Sequence, residues 1–178
     1  VDTSAIYTLI NVGGPAAPSI SGGGSYCEGE TVGALTGTGT GGTITWYSDS
    51  TLGNVLGTGA MYTPSNLPAG TNVIYATETT TCEGPWASIS ININPAPAAV
   101  LTPDANGGCA PLAVNFTDNT TITNGTYTVT IVDLGDGNTS ATVGSHTYTN
   151  ANSFNPMLIV ASDSGCVDTA TVNIIAST

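Results

Sequence analysis

The chain contains no lysine and no arginine in 178 residues. Twelve Asp and Glu stand against that zero, a formal net charge of −12. Charged residues make up 7% of the chain, against about 25% in an ordinary soluble domain. No ion pair to a Lys or Arg side chain can form within it, so the surface must be built from Thr, Ser, Asn and Gly. The absence excludes whole function classes. Nucleic-acid affinity comes mainly from cations that neutralise phosphates, and anionic membrane surfaces attract basic segments for the same reason. Neither is expected as a partner. Long apolar runs are missing as well. No stretch approaches the roughly 18 residues that span a bilayer, so membrane insertion is not expected. There is a single histidine, and none of the four cysteines stands in a C-x-x-C pair, so a zinc ligand set is not assembled. No signal peptide is visible and the first residue is Val1 rather than Met, which suggests a mature or excised piece of something longer.

What remains is the material of strands. Hydrophobic residues make up 40% of the chain, with 23 Gly and 10 Pro. A core can form, and its elements are strands and turns. Thr43-Ile44-Thr45-Trp46-Tyr47, Asn72-Val73-Ile74-Tyr75-Ala76-Thr77 and Ala87-Ser88-Ile89-Ser90-Ile91-Asn92-Ile93 read as strands, the last with Ile89, Ile91 and Ile93 on one face. Further along, Leu112 to Phe116, Tyr127 to Ile131, Met157 to Val160 and Thr171 to Ile174 do the same. Period-2 segments separated by turn signals predict β-sandwiches.

Two Pro/Ala linkers, Gly13-Gly14-Pro15-Ala16-Ala17-Pro18 and Pro95-Ala96-Pro97-Ala98-Ala99, each follow an alternating strand end. Proline lacks the donor that a ladder needs, so each strand stops there. The expectation is an all-β chain of two sandwiches in tandem, over 15–94 and 98–176, preceded by an orphan strand over 1–12. The cysteines, Cys27, Cys82, Cys109 and Cys166, are even in number and widely spaced, the pattern of two disulfides in a non-cytosolic chain. Three pairings exist. Cys27–Cys82 with Cys109–Cys166 is expected, because each bridge then closes one domain of similar size.

The two halves resemble known families. Tyr26-Cys27-Glu28-Gly29-Glu30, then Thr45-Trp46-Tyr47, then Tyr75 and Cys82-Glu83-Gly84 resemble the bacterial immunoglobulin-like repeats of large surface proteins in the Bacteroidota. That resemblance implies Trp46 as the core tryptophan. Gly108-Cys109-Ala110-Pro111-Leu112-Ala113-Val114-Asn115-Phe116-Thr117, Asp133-Leu134-Gly135-Asp136-Gly137-Asn138, Ser145-His146-Thr147-Tyr148-Thr149 and Gly165-Cys166-Val167-Asp168-Thr169 resemble a PKD domain. Two departures matter: Val132 stands where the family has tryptophan, and Asn152-Ser153-Phe154-Asn155-Pro156 replaces its Gly-Thr-Tyr-Thr-Val strand, the proline suiting an edge or bulge.

Val1-Asp2-Thr3 repeats Val167-Asp168-Thr169, and both lead into alternating tails. Residues 1–12 therefore resemble the last strand of another PKD domain. Val1, Asp2, Thr3, Ile6 and Ile10 are the expected assembly strand, either within a long tandem array or added to a neighbouring subunit's sheet. Both routes imply copies of the same unit as partners, since a heterologous contact that does not close makes a filament.

Chemistry is sparse. His146 lies in the Ser-His-Thr-Tyr motif, no Gly-x-Ser-x-Gly elbow is present, and the acids that paired-carboxylate chemistry would need sit mostly in turn sequences, so no enzyme is expected; no clustered aromatic platform stands out to identify a ligand. No cofactor is expected either, calcium being the single candidate. Asp133, Asp136 and Asn138 offer the hard oxygens and Gly turn that calcium uses, but the loop and terminal Glu of an EF-hand are lacking, and a hairpin turn on Asp136-Gly137 is the stronger reading. Ser50 and Thr169, in Asp49-Ser50-Thr51 and Asp168-Thr169-Ala170, resemble the O-glycosylation sites of Bacteroidota. Together these features lead to an extracellular or cell-surface protein. Its expected function is that of a structural repeat unit of a filament or long adhesin, assembling head to tail. The alternative is a glycan- or protein-binding accessory module of a secreted enzyme.

Overall fold

A computed structural model describes residues 13–178. The expected assembly strand, with Val1, Asp2, Thr3, Ile6 and Ile10, lies outside the described residues. All regular structure among the described residues is β-strand, and the chain divides into two compact units.

The first unit takes residues 13–26 and Thr31–Asn92 of those described. Its strands are β1 (Ser19–Ser21), β2 (Gly24–Cys27), β3 (Leu35–Thr38), β4 (Thr43–Tyr47), β5 (Val55–Thr58), β6 (Met61–Tyr62), β7 (Gly70–Thr79) and β8 (Ala87–Asn94). They form a sheet β1-β3-β6 and a sheet β2-β8-β7-β4-β5. Alternation decides what is buried. Ile44 and Trp46 on β4, Ile74 and Ala76 on β7 and Ile91 on β8 are buried with Leu35. Trp46 is fully buried. Its indole N–H donates to the Gly59 carbonyl at 2.9 Å, and its ring stacks on Tyr62 at 5.9 Å. A buried indole needs such a partner for its one donor.

The second unit comprises Cys27–Glu30 and Ile93–Thr178. Its strands are β9 (Leu101–Pro103), β10 (Gly107–Cys109), β11 (Leu112–Asp118), β12 (Tyr127–Asp133), β13 (Thr139–Ser140), β14 (Ser145–Tyr148), β15 (Asn152–Phe154), β16 (Met157–Ser162), β17 (Val167–Thr171) and β18 (Ile174–Ser177). The sheets run β10-β18-β15, β14-β11-β9 and β13-β12-β16-β17. One core joins them, including Val114, Phe116, Val132, Tyr148, Leu158, Val160 and Ile174. Val132 fills its position at 1% exposure. β15 is an edge strand, and Pro156 follows it, its carbonyl accepting from Val172 N–H at 3.0 Å.

Two expectations are corrected. Thr171 to Ile174 is not one strand. β17 ends at Thr171 and β18 begins at Ile174 in another sheet. The Asn173 amide holds the crossing, donating to Ser153 Oγ, the Phe154 carbonyl and Asn155 Oδ1. The cysteines are not paired domain by domain. Cys27 is bonded to Cys166, their Cα atoms 5.7 Å apart, while Cys82 and Cys109 are exposed free thiols. The reason is local seating: Glu28 N–H donates to the Asn94 carbonyl at 2.8 Å, and Cys166 Sγ lies 3.9 Å from that same oxygen. The Cys27–Glu30 segment is thereby carried to Cys166, which is 1% exposed.

Candidate functional site

Cys82 stands in the loop between β7 and β8 of the first unit. An isolated bridge pairs Thr79 with Glu83, and Gly84 N–H donates to the Glu78 carbonyl at 2.9 Å. The Glu83 carboxylate fixes the loop onto the sheet: Oε1 accepts from Tyr47 Oη at 2.9 Å and from Thr77 Oγ1 at 2.8 Å. The start of the described chain passes over this loop. A Cβ on Gly14 would stand 3.0 Å from the Glu83 carbonyl oxygen, and one on Gly84 would collide with the Pro15 carbonyl oxygen. Glycine at both positions permits that approach.

The same sheet face carries aromatics that sequence reading missed. Tyr47 lies opposite Tyr75 in the β4–β7 register. Tyr75 meets Trp86 edge to face, centroids 5.1 Å apart, and Trp86 is 46% exposed. Strand register brings Tyr47 opposite Tyr75, and the loop before β8 brings Trp86 to Tyr75; the alternation of β4 and β7 could have pointed to the two tyrosines.

Under the sheet, Glu78 is fully buried. Its Oε2 accepts from Thr40 N–H at 2.8 Å and Thr40 Oγ1 at 3.1 Å, and its Oε1 from Gly42 N–H at 2.6 Å. Backbone N–H groups of Thr40 and Gly42 hold its carboxyl below the ordinary value. In a chain without Lys or Arg, such dipoles take the place of a counter-ion. The role is structural.

The calcium candidates of the second unit lie in the β12–β13 hairpin, closed by Leu134 N–H on the Asn138 carbonyl at 2.9 Å. Asp133 Oδ1 accepts from Gly135 N–H at 2.8 Å. Asp136 accepts from Asn138 N–H and Nδ2 at 3.1 and 3.0 Å, and pairs with His146 Nε2 at 2.8 Å. Burial works against ionisation of Asp136, yet the bonds from His146 and Asn138 outweigh it and its carboxyl lies below the ordinary value. His146 also meets Tyr148 edge to face at 4.7 Å. Tyr148 stacks on Phe154 and donates to the Leu134 carbonyl at 2.9 Å. Burial, then the charges of Asp136 and Asp133, push its hydroxyl up to about 12. The two carboxylates are thus committed to turn donors and a histidine. Among the described residues, no group of three or more His, Cys, Asp or Glu could hold a metal ion.

Cys109 ends β10, the outer strand of its sheet, which pairs in parallel with β18; Cys109 lies opposite Ser177. Ala110 N–H donates to the Ser177 carbonyl at 2.7 Å. The glycosylation candidates are both exposed. Ser50 sits in a turn whose Asp49 accepts from Thr51 Oγ1, Gly53 N–H, Asn54 N–H and Thr51 N–H. Thr169 sits on β17, an edge strand.

Comparison with known proteins follows the division seen in the strands. Residues 15–95 match the family model described as Ig-like domain, CHU_C associated, and residues 94–176 match that of the PKD domain. The chain carries an Ig-like domain and a PKD domain in tandem. The CHU_C designation is associated with the Bacteroidota. Among solved structures, the PKD1 domain of the Vibrio cholerae metalloprotease PrtV is 28% identical, covering 47% of this chain and 99% of its own, with a TM-score of 0.42. The PKD1 domain of Vibrio anguillarum Epp is 25% identical, covering 47% and 95%, with a TM-score of 0.42. The fibronectin(III)-like modules of Clostridium thermocellum CbhA are 11% identical, covering 89% and 94%, with a TM-score of 0.38. No curated protein matches the chain. Ig-like and PKD domains are typically non-catalytic modules, and with a disulfide they point to an extracellular surface or accessory module.

Proposed function

We propose that this Ig-like and PKD pair is the structural repeat unit of an extracellular filament or long cell-surface adhesin, its copies joined head to tail. The observation that carries the reading is the recurrence of Val-Asp-Thr before the first module and within β17 of the second. A segment that shares Val-Asp-Thr and an alternating tail with the end of the PKD module precedes the Pro linker of the Ig-like module. A heterologous contact of this kind propagates as a fibre when its rotation does not close into a ring. The absence of Lys and Arg supports the extracellular setting, because the chain offers trypsin-like proteases no cleavage site. Its partners are other copies of the same unit. Electron microscopy of native material tests the reading. Extended rods with one Ig-like and one PKD module per repeat are expected, and dispersed compact particles would overturn it.

One observation favours a second reading, a ligand-binding accessory module. Trp86, 46% exposed and braced by Tyr75, presents an apolar ring three residues after Glu83, which is exposed but whose Oε1 already accepts from Tyr47 and Thr77. An exposed, braced indole of this kind suits a neutral sugar, whose C–H face stacks on an aromatic ring. Trp46 is fully buried, so a change of tryptophan fluorescence on adding neutral oligosaccharides would come from Trp86. Loss of that change in Trp86→Ala is expected, and no change in the parent chain at millimolar sugar would end this reading.

A further inference from the structure

We propose that Cys82 of one copy and Cys109 of the next form a disulfide, so that the head-to-tail contact is covalent. This rests on the head-to-tail reading above and adds to it the bond that closes the contact.

Three observations carry it. Cys27 and Cys166 are already bonded, so the chain matures where thiols are oxidised. That leaves two thiols, both exposed and one in each unit, in a setting where exposed thiols do not persist. Second, Cys82 lies where the chain enters the first unit. The neighbouring Glu83 and Gly84 are within contact distance of Gly14 and Pro15. Third, Cys109 lies where the chain leaves the second unit. It is the register partner of Ser177, on the outer strand of the sheet, and the next residue bonds to the Ser177 carbonyl. A head-to-tail contact joins the departing end of one copy to the entering end of another, and these are the ends that hold Cys109 and Cys82. The sequence repeat runs the same way. Val1-Asp2-Thr3 copies the segment that leads to β18, beside Cys109, and twelve residues on it reaches Gly13 and the linker beside Cys82.

The chemistry is thiol–disulfide exchange with an external low-molecular-weight disulfide, RSSR, as oxidant. The Cys82 thiolate attacks RSSR, forms Cys82–S–S–R and releases one RSH. The Cys109 thiolate of the neighbour then attacks the Cys82 sulfur, forms the Cys82–Cys109 bond and releases the second RSH. Two protein thiols are oxidised and one RSSR is reduced to two RSH, so electrons and protons balance.

The test mixes equal amounts of nitrogen-14 and nitrogen-15 protein under oxidised glutathione. Non-reducing electrophoresis is followed by mass spectrometry of peptides cut at both Glu and Asp, since trypsin has no site here and the Asp residues separate Cys109 from Cys166. A ladder beyond the dimer is expected, with Cys82–Cys109 peptides of which about half carry one light and one heavy partner, the share that random pairing gives. Cys82→Ser and Cys109→Ser should each abolish the ladder. Both side chains are exposed, and circular dichroism checks that the variants fold. Linked peptides of one isotope only would mean a bridge within a chain and would overturn the proposal. Homotypic Cys82–Cys82 or Cys109–Cys109 peptides, or a ladder surviving in either single variant, would also overturn it. Free thiols in filaments that electron microscopy shows as head-to-tail would overturn the cross-link and leave the filament reading standing. Free thiols with no filaments at all would overturn both.

Discussion

The Cys27–Cys166 bridge makes the sharpest energetic prediction. Two double variants are compared: Cys27→Ser with Cys166→Ser, and Cys82→Ser with Cys109→Ser. The bridge spans 139 residues. By the chain-entropy relation, a loop of that length is worth about 5 kcal/mol at 25 °C when the whole intervening chain unfolds. Less is recovered if the first unit stays folded inside the loop, because the effective loop is then shorter. The first double variant should therefore lose several kcal/mol in the transition of the second unit. Cys82 and Cys109 are exposed and unbonded, so the second should stay within about 0.5 kcal/mol of the parent. Differential scanning calorimetry on freshly purified, uncross-linked chains is the suitable assay. Both tryptophans, Trp46 and Trp86, belong to the first unit, and fluorescence would report on that unit alone. Equal losses in the two double variants would refute the reasoning, because every pairing other than Cys27 with Cys166 loses both bridges in either variant.

Other outcomes follow from the same residues. Trp46→Ala should cost ~3–5 kcal/mol in the first unit; a loss below about 1 kcal/mol would mean that its burial does not organise that core. Glu78, Asp49, Asp136 and Asp163 all have carboxyls below their ordinary values. Each adds stability that is present above the unfolded-state value of about 4 and lost as pH falls through the lower folded-state value. The melting temperature, measured in high salt to screen the −12 charge, should fall with pH below about 4, and Glu78→Gln should flatten that fall; a rising melting temperature would contradict it. Since Asp133 and Asp136 are occupied by turn donors and His146, millimolar calcium should leave the melting temperature where an equal ionic strength of sodium chloride leaves it. A saturable further rise would show a calcium site. The reduced, unfolded chain should survive prolonged trypsin, because it has no Lys or Arg; fragmentation would show a contaminating protease or a sequence other than this one.

Much of the fold can be read from alternation. The strands around Trp46, Ile74 and Ile91 lie where period 2 placed them, because a half-buried strand writes its facing into its residues. Tandem modules can be read because proline stops ladders. The break at Val172 and Asn173 was hidden, since Thr171 to Ile174 alternates smoothly through it. Only the side-chain bonds of Asn173 to the β15 region reveal the crossing. Glu78 sits in a Thr-rich run that looks solvated, yet it continues the inward row of Ile74 and Ala76. The cysteine pairing was hidden for a different reason. Even spacing is a local regularity, whereas the bond depends on how Glu28 and Cys166 meet at Asn94. The pairing of Tyr47 with Tyr75 likewise exists only once β4 and β7 are in register, and Trp86 joins them from the loop before β8.

The central claim is that copies of this unit run head to tail outside the cell. Cryo-electron tomography of the source cells, labelled with an antibody raised against this chain, tests it most directly. The account predicts label at regular intervals along filaments that project beyond the envelope. Label scattered as single particles, or confined to the cell interior, would contradict it.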